Sequence, residues 1–166
     1  MAISPIARLG YRIAHRGRSL YRRLLRPVTV GVRVLTWSLD GEVVLVRHAY
    51  GIDRWYLPGG AVRRRETFAA AALRELREET GIVARRGEES LVLLGALTTT
   101  RDGWTDHVVL FELAGDEWEG PPPGGSRSEI AGVTVVHPSV LPEITSPSTR
   151  ARIEERLRGE PPGSVW

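Results

Sequence analysis

GAVRRRETFAAAALRELREETGI, residues 60–82, decides how the rest of the chain is read. It opens on Gly60. Glu66 follows six positions on, and Arg74-Glu75-Leu76 eight positions after that, with Glu78-Glu79 and Gly81-Ile82 at the end. From Thr67 to Thr80 the residues favour helix, including four consecutive alanines and neither glycine nor proline. At about 100° per residue, Ala69, Ala72, Leu73, Leu76 and Thr80 share a side suited to burial against a sheet. Glu75, Glu78 and Glu79 gather on another side at i, i+3 and i+4, where like charges repel. Clustered carboxylates suit hard-oxygen coordination of Mg²⁺ or Mn²⁺. The competing reading is a solvated helix in which Arg74 and Arg77 neutralise the acids. Leu57-Pro58-Gly59-Gly60 just upstream and the placement of Glu66 favour the metal reading. Gly81 is placed to end the helix in a left-handed conformation.

The chain around this segment has 166 residues, enough for one domain with a full core. With no cysteine it has no disulfide, no thiolate zinc site and no cysteine nucleophile. All 23 basic residues are arginine, and the net charge of +3 permits attraction to polyanions. No apolar run is long enough to span a membrane, and the expected location is the cytoplasm.

Residues 1–27 differ from the rest. No acid precedes Asp40, whereas arginines recur from Arg8 onward. Ile6, Leu9, Ile13, Leu20 and Leu24 gather on one side of a helical wheel, and Pro27 ends the pattern. Residues 1–26 are open to three functional readings: a nucleic-acid arm, a membrane-surface helix or a targeting peptide. Arginines interrupt any secretory apolar core. The preferred reading is a helix docked on the core or on a second subunit, which would make a homodimer.

Strands are expected over Val28–Trp37, Glu42–Arg47, Trp55–Leu57, Leu91–Thr99, Thr105–Leu113 and Ile130–Val136. Asp40-Gly41 reads as a hairpin turn and Ala84–Ser90 as a charged loop. Gly115–Ser128 reads as a Gly/Pro-rich excursion, and Ser146-Pro147 as the cap of a helix to Arg158. The expected organisation is an arm (1–27), one α/β domain (28–158) and a tail (159–166).

The complete box G-x5-E-x7-R-E-U-x-E-E-x-G-U, with U apolar, resembles the signature of the Nudix hydrolases. That resemblance covers roughly residues 28–158. It implies an α/β/α sandwich with a mixed β-sheet, and metal-dependent hydrolysis of a diphosphate linkage in a nucleoside diphosphate derivative. Mg²⁺ (or Mn²⁺) is the implied cofactor and a small nucleotide the implied partner. Two alternatives are an RNA 5′-end pyrophosphohydrolase using the basic arm and a non-catalytic nucleotide-binding regulatory module. By position in the box, Glu75, Glu78 and Glu79 are the implied metal ligands, with Glu75 alternatively a base. Arg74 is expected to orient a carboxylate through a bidentate pair, with Glu66 as its partner. Gly60 is expected to contribute backbone. The general base is sought outside the box, in Glu129, with Asp102, Asp106 and Glu112 as weaker alternatives. Arg47, His48, Arg54 and Arg101 are expected to hold phosphates, and Trp55, Tyr56 or Trp104 to stack on a base. Neither a proline nor a tyrosine occurs in Leu97–Thr100, where subfamilies of this resemblance carry one, so the substrate stays open.

Overall fold

Alternation of side chains places the first strand in the middle of the molecule. In a computed structural model, which describes residues 28–101, 104–119 and 129–166, VTVGVRVLT forms β1 (Val28–Thr36). Val32 and Val34 enter one apolar cluster and Leu35 another, on opposite faces. β2 (Val43–His48) does the same with Val44 against Val43 and Leu45. β3 (Trp55–Tyr56) is short. Then come helix α1 (Phe68–Thr80), β4 (Val83–Ala84), the long strands β5 (Leu91–Arg101) and β6 (Trp104–Leu113), β7 (Trp118–Glu119), β8 (Ile130–Val136) and helix α2 (Pro147–Leu157).

The strands form a mixed sheet β1-β6-β5, an antiparallel sheet β3-β2-β8 and a β4-β7 pair. β1 runs parallel to β6, and β5 antiparallel to it. α1 closes one face, where Ala71, Ala72 and Leu76 pack with Val32, Val34, Val44, Phe111 and Leu113. α2 closes the other, where Ile153 packs with Leu35, Leu45, Leu57, Leu97 and Leu110. The chain is thus an α/β/α sandwich with a mixed sheet.

Two expectations need correction. Asp40-Gly41 does turn the chain, with Gly41 at φ 74° and Ser38 N–H donating to Glu42 O at 2.8 Å. No hairpin ladder follows beyond the bridge Trp37↔Val43. The reason is that the free edge of β1 is already paired. Val34 N–H donates to Pro58 O and Val32 N–H to Gly60 O, each at 2.9 Å, while Val62 N–H donates to Val30 O at 3.2 Å. β1 and β2 therefore diverge into different sheets. The loop expected over Ala84–Ser90 is partly ordered, since Val83–Ala84 pairs with Trp118–Glu119 from the expected excursion. The tail, residues 159–166, lies against the domain. Thr98 N–H donates to Ser164 O at 2.9 Å, and Arg152 Nη1 donates to Gly163 O (3.2 Å) and Val165 O (3.0 Å). The expectations for the arm, Asp102 and residues 120–128 lie outside the described residues. Among the described residues no helix is long and apolar enough to cross a membrane.

Candidate active site

The site is built on α1. Thr67 caps its start, its hydroxyl accepting from Ala70 N–H at 3.0 Å, and Gly81 at φ 83° returns an N–H to Arg77 O. The buried stripe is Ala71, Ala72, Leu76, Glu79 and Thr80, rotated slightly from the expected one. Ala69 and Leu73 are only partly buried. That rotation carries Glu79 to 8% exposure at the rim of the core.

Arg74 is the hub of the exposed side. Its Nε and Nη2 donate to the two oxygens of Glu66 at 2.7 and 3.0 Å, its Nη1 to Glu75 Oε1 at 2.6 Å, and Nη2 also to Ala61 O at 3.1 Å. Glu66 additionally accepts from Arg63 N–H at 2.9 Å. The Arg74 hydrogen bonds and the Arg63 N–H hold the Glu66 carboxyl down to about 2. The same pairing raises the Arg74 guanidinium. Glu78 is half-exposed, with Arg63 and Arg74 at 3.6 and 3.7 Å. One arginine thus neutralises part of the repulsion along the helix and fixes where Glu75 points.

A second set of contacts comes from the bend Leu57–Gly60. Gly59 has φ 142°, and a Cβ there would sit 2.1 Å from Val32 O, so the position requires glycine. Its N–H donates to Glu79 Oε2 at 2.8 Å. Arg33 Nη1 grips the same bend through Leu57 O (3.0 Å) and Gly59 O (2.7 Å). Burial pushes the Glu79 carboxyl up to about 7, against the Gly59 N–H and Arg33, which favour its ionised form. Glu75 and Glu129 add like-charge repulsion to that rise. Burial lowers His48, with Arg33 adding to the effect; its Nε2 stands 3.9 Å from Glu79 Oε1.

The structure brings Glu75, Glu78, Glu79, Gly60, Glu66, Arg74 and His48 into one neighbourhood. Glu129 is exposed. Its carbonyl accepts from Ala49 N–H at 2.9 Å, and its charge acts on both His48 and Glu79. Arg47 turns elsewhere, pairing with Asp53 at 3.4 Å and lying over the Trp55 ring at 5.4 Å. Trp55 itself packs on the α2-side core, and Arg54 is exposed. Arg101 closes the β5–β6 hairpin opposite Trp104. Glu112, a weaker candidate for the base, is buried at 8% exposure. It accepts from Trp37 Nε1 (2.8 Å) and Arg156 Nε (2.7 Å), which is a structural role. Arg33 was missed by sequence reasoning. Its signal was a lone charge in an apolar strand, on the face that Leu35 shares.

The residues present fit a hard divalent cation by chemistry. Three carboxylates share one helix face, and Gly60 leaves open the space that a Cβ would take 2.7 Å from the Glu75 carboxyl carbon. Among the described residues no three acids or histidines already stand at ligand spacing. Glu75 and Glu78 lean on arginines and Glu79 on the Gly59 N–H.

The family model of the NUDIX domain matches residues 27–157. The m7GpppN-mRNA hydrolase NUDT17 of Homo sapiens is 39% identical over 99 residues, which is 53% of this chain and 30% of that protein. Diphosphoinositol polyphosphate phosphohydrolase 3-alpha of Homo sapiens is 36% identical over 63 residues, 38% of this chain and 36% of that protein. These matches span about a third of the length of either curated relative. The crystal structure of the MutT NUDIX hydrolase from Burkholderia pseudomallei superposes with a TM-score of 0.66 at 23% identity, covering 77% of this chain and 97% of that one. That last likeness is one of fold.

Proposed function

Because the chain belongs to the NUDIX domain family, we propose that it is a hydrolase that cleaves a diphosphate linkage in a nucleoside diphosphate derivative with the help of Mg²⁺ or Mn²⁺. The observation that carries this reading is the double grip on the box acids: Arg74 on Glu66 and Glu75, and the Gly59 N–H on Glu79. A chain that had lost turnover would have no reason to keep a repulsive carboxylate cluster so closely held. The matched relatives are named as hydrolases of an m7GpppN-mRNA and of a diphosphoinositol polyphosphate.

In this reading Glu75, Glu78 and Glu79 hold the cation. When bound, it neutralises the charge of the diphosphate and acidifies a water. Arg74 and Glu66 hold Glu75 in place, and the Gly59 N–H ties Glu79 Oε2 while Oε1 faces His48 Nε2 at 3.9 Å. Glu129, exposed beside His48, takes the proton from the attacking water. His48 stands at the same rim.

The test is a panel of nucleoside diphosphate derivatives assayed with Mg²⁺ or Mn²⁺, beside Glu78→Gln. The expected result is metal-dependent release of phosphate products, lowered at least about 100-fold by the substitution. No release from any substrate would sink the hydrolase reading. Full activity in Glu78→Gln would sink the ligand assignment alone.

A further inference from the structure

A groove of about 260 Å³ opens beside the box, lined among others by Thr29, Gly31, Arg33, Gly60, Asp106 and Trp166. Gly60 joins it to the acids, since the space at its Cα faces the Glu75 carboxylate. The floor at Gly31 carries no side chain. Asp106 and Thr29 are cross-strand partners, the Thr29 hydroxyl donating to Asp106 Oδ1 at 2.7 Å, which leaves Oδ2 for another donor. Trp166 arrives from the far end of the sequence. Its N–H donates to Thr98 O at 3.3 Å on the edge of β5, and the Arg152 bonds to Gly163 and Val165 hold the strap leading to it. Trp166 is partly buried against the core and lines the groove.

We propose that this groove seats the base of the substrate, with Trp166 as the stacking surface and Asp106 as acceptor for the base's N–H groups. This rests on the hydrolase reading above and narrows its substrate class. The volume falls below the roughly 300–1,000 Å³ of sites that hold a whole drug-sized ligand, and so matches a fragment the size of a base. An aromatic wall rewards a flat ring, which every nucleobase offers. A carboxylate at the rim repels phosphate groups and attracts N–H donors. Arg33, the cation in the groove, commits Nη1 to Leu57 O and Gly59 O, and the Asp106 carboxylate offsets its charge. The groove therefore selects a nucleoside end over a polyphosphorylated, base-free one. Trp166 and Asp106 act as specificity residues, since neither contacts the Glu75–Glu79 grip.

The experiment is calorimetric titration of the full chain with Mg²⁺ and two non-hydrolysable probes, α,β-methylene-GDP and base-free methylenediphosphonate. In Trp166→Ala the Kd of the nucleotide probe rises about 5- to 100-fold and that of methylenediphosphonate stays put. Trp166→Phe restores the nucleotide Kd. Asp106→Asn weakens the nucleotide probe and spares the base-free one. Unchanged nucleotide binding in Trp166→Ala overturns the proposal. So does equal weakening of both probes, which would mark Trp166 as a support of the fold. If wild type turns over no substrate yet binds the nucleotide probe in a Trp166-dependent way, the hydrolase reading fails and the groove assignment stands.

Discussion

Two adjacent glycines do different work, and substitution separates them. At Gly59 a Cβ would collide with backbone, 2.1 Å from Val32 O and 2.9 Å from Arg33 Cα, at φ 142°. Gly59→Ala is expected to lose about 3 kcal/mol or more, seen as a lower denaturant midpoint. At Gly60 the Cβ meets only the end of a side chain, Glu75 Cδ at 2.7 Å. Gly60→Ala is expected to keep most of the stability and lose activity, because the carboxylate must swing away from its place. If both variants unfold alike, Gly60 is structural too. Arg74→Gln frees Glu75 and Glu66 together. It is expected to cost about 10–100-fold in activity or Mn²⁺ affinity, read by kinetics and by metal titration. The Glu66–Arg74 pairing was legible at this scale, because both residues lie in one continuous segment. Arg33 was not, because its partners are 24 and 26 positions away.

At the scale of the element, α1 is held at its start by one hydroxyl. Thr67→Ala is expected to cost about 1 kcal/mol, read from the denaturant midpoint. The Glu66–Arg74 link then gives the helix a pH dependence. Glu66 is held near 2 against an ordinary 4.5, so the unfolded chain takes up its proton first. The stability from this pair is full above about pH 4.5 and is lost as pH falls through about 2. Thermal midpoints of wild type and Glu66→Gln are expected to differ at neutral pH and to converge on acidification. A constant gap across that window would contradict the linkage. The period of the helix and both its ends could be read in sequence. Its exact rotation could not, since the sheet surface chose Ala71 over Ala69 and Leu73 and thereby buried Glu79.

Across the whole molecule, α2 joins the sandwich through Ile153, fully enclosed among residues of β1, β2, β5 and β6. Ile153→Ala is expected to cost about 2–5 kcal/mol by cavity formation, measured in urea. Activity per folded molecule should hold, because α2 does not contact the box acids. The strands themselves were readable from alternation and β-branched residues, which act within a few positions. Their pairing was not. Asp40-Gly41 favours a tight turn, yet whether two strands then pair depends on which edge hydrogen bonds remain open. At β1 that edge was taken by Pro58–Val62, a segment more than twenty positions on.

The sequence by itself determined the kind of chemistry at stake. Acids at helical spacing, one arginine among them and glycines before them form a local pattern, and local geometry follows directly from the turn of a helix. Only the tertiary structure decided how those acids are held and what stands beside them. Gly59 N–H on Glu79, Arg33 on the bend, and Trp166 brought by its strap to a groove at Gly31 all join residues distant in the chain. Contacts of that kind arise from packing two layers of helix on a sheet, and no short-range periodicity encodes them.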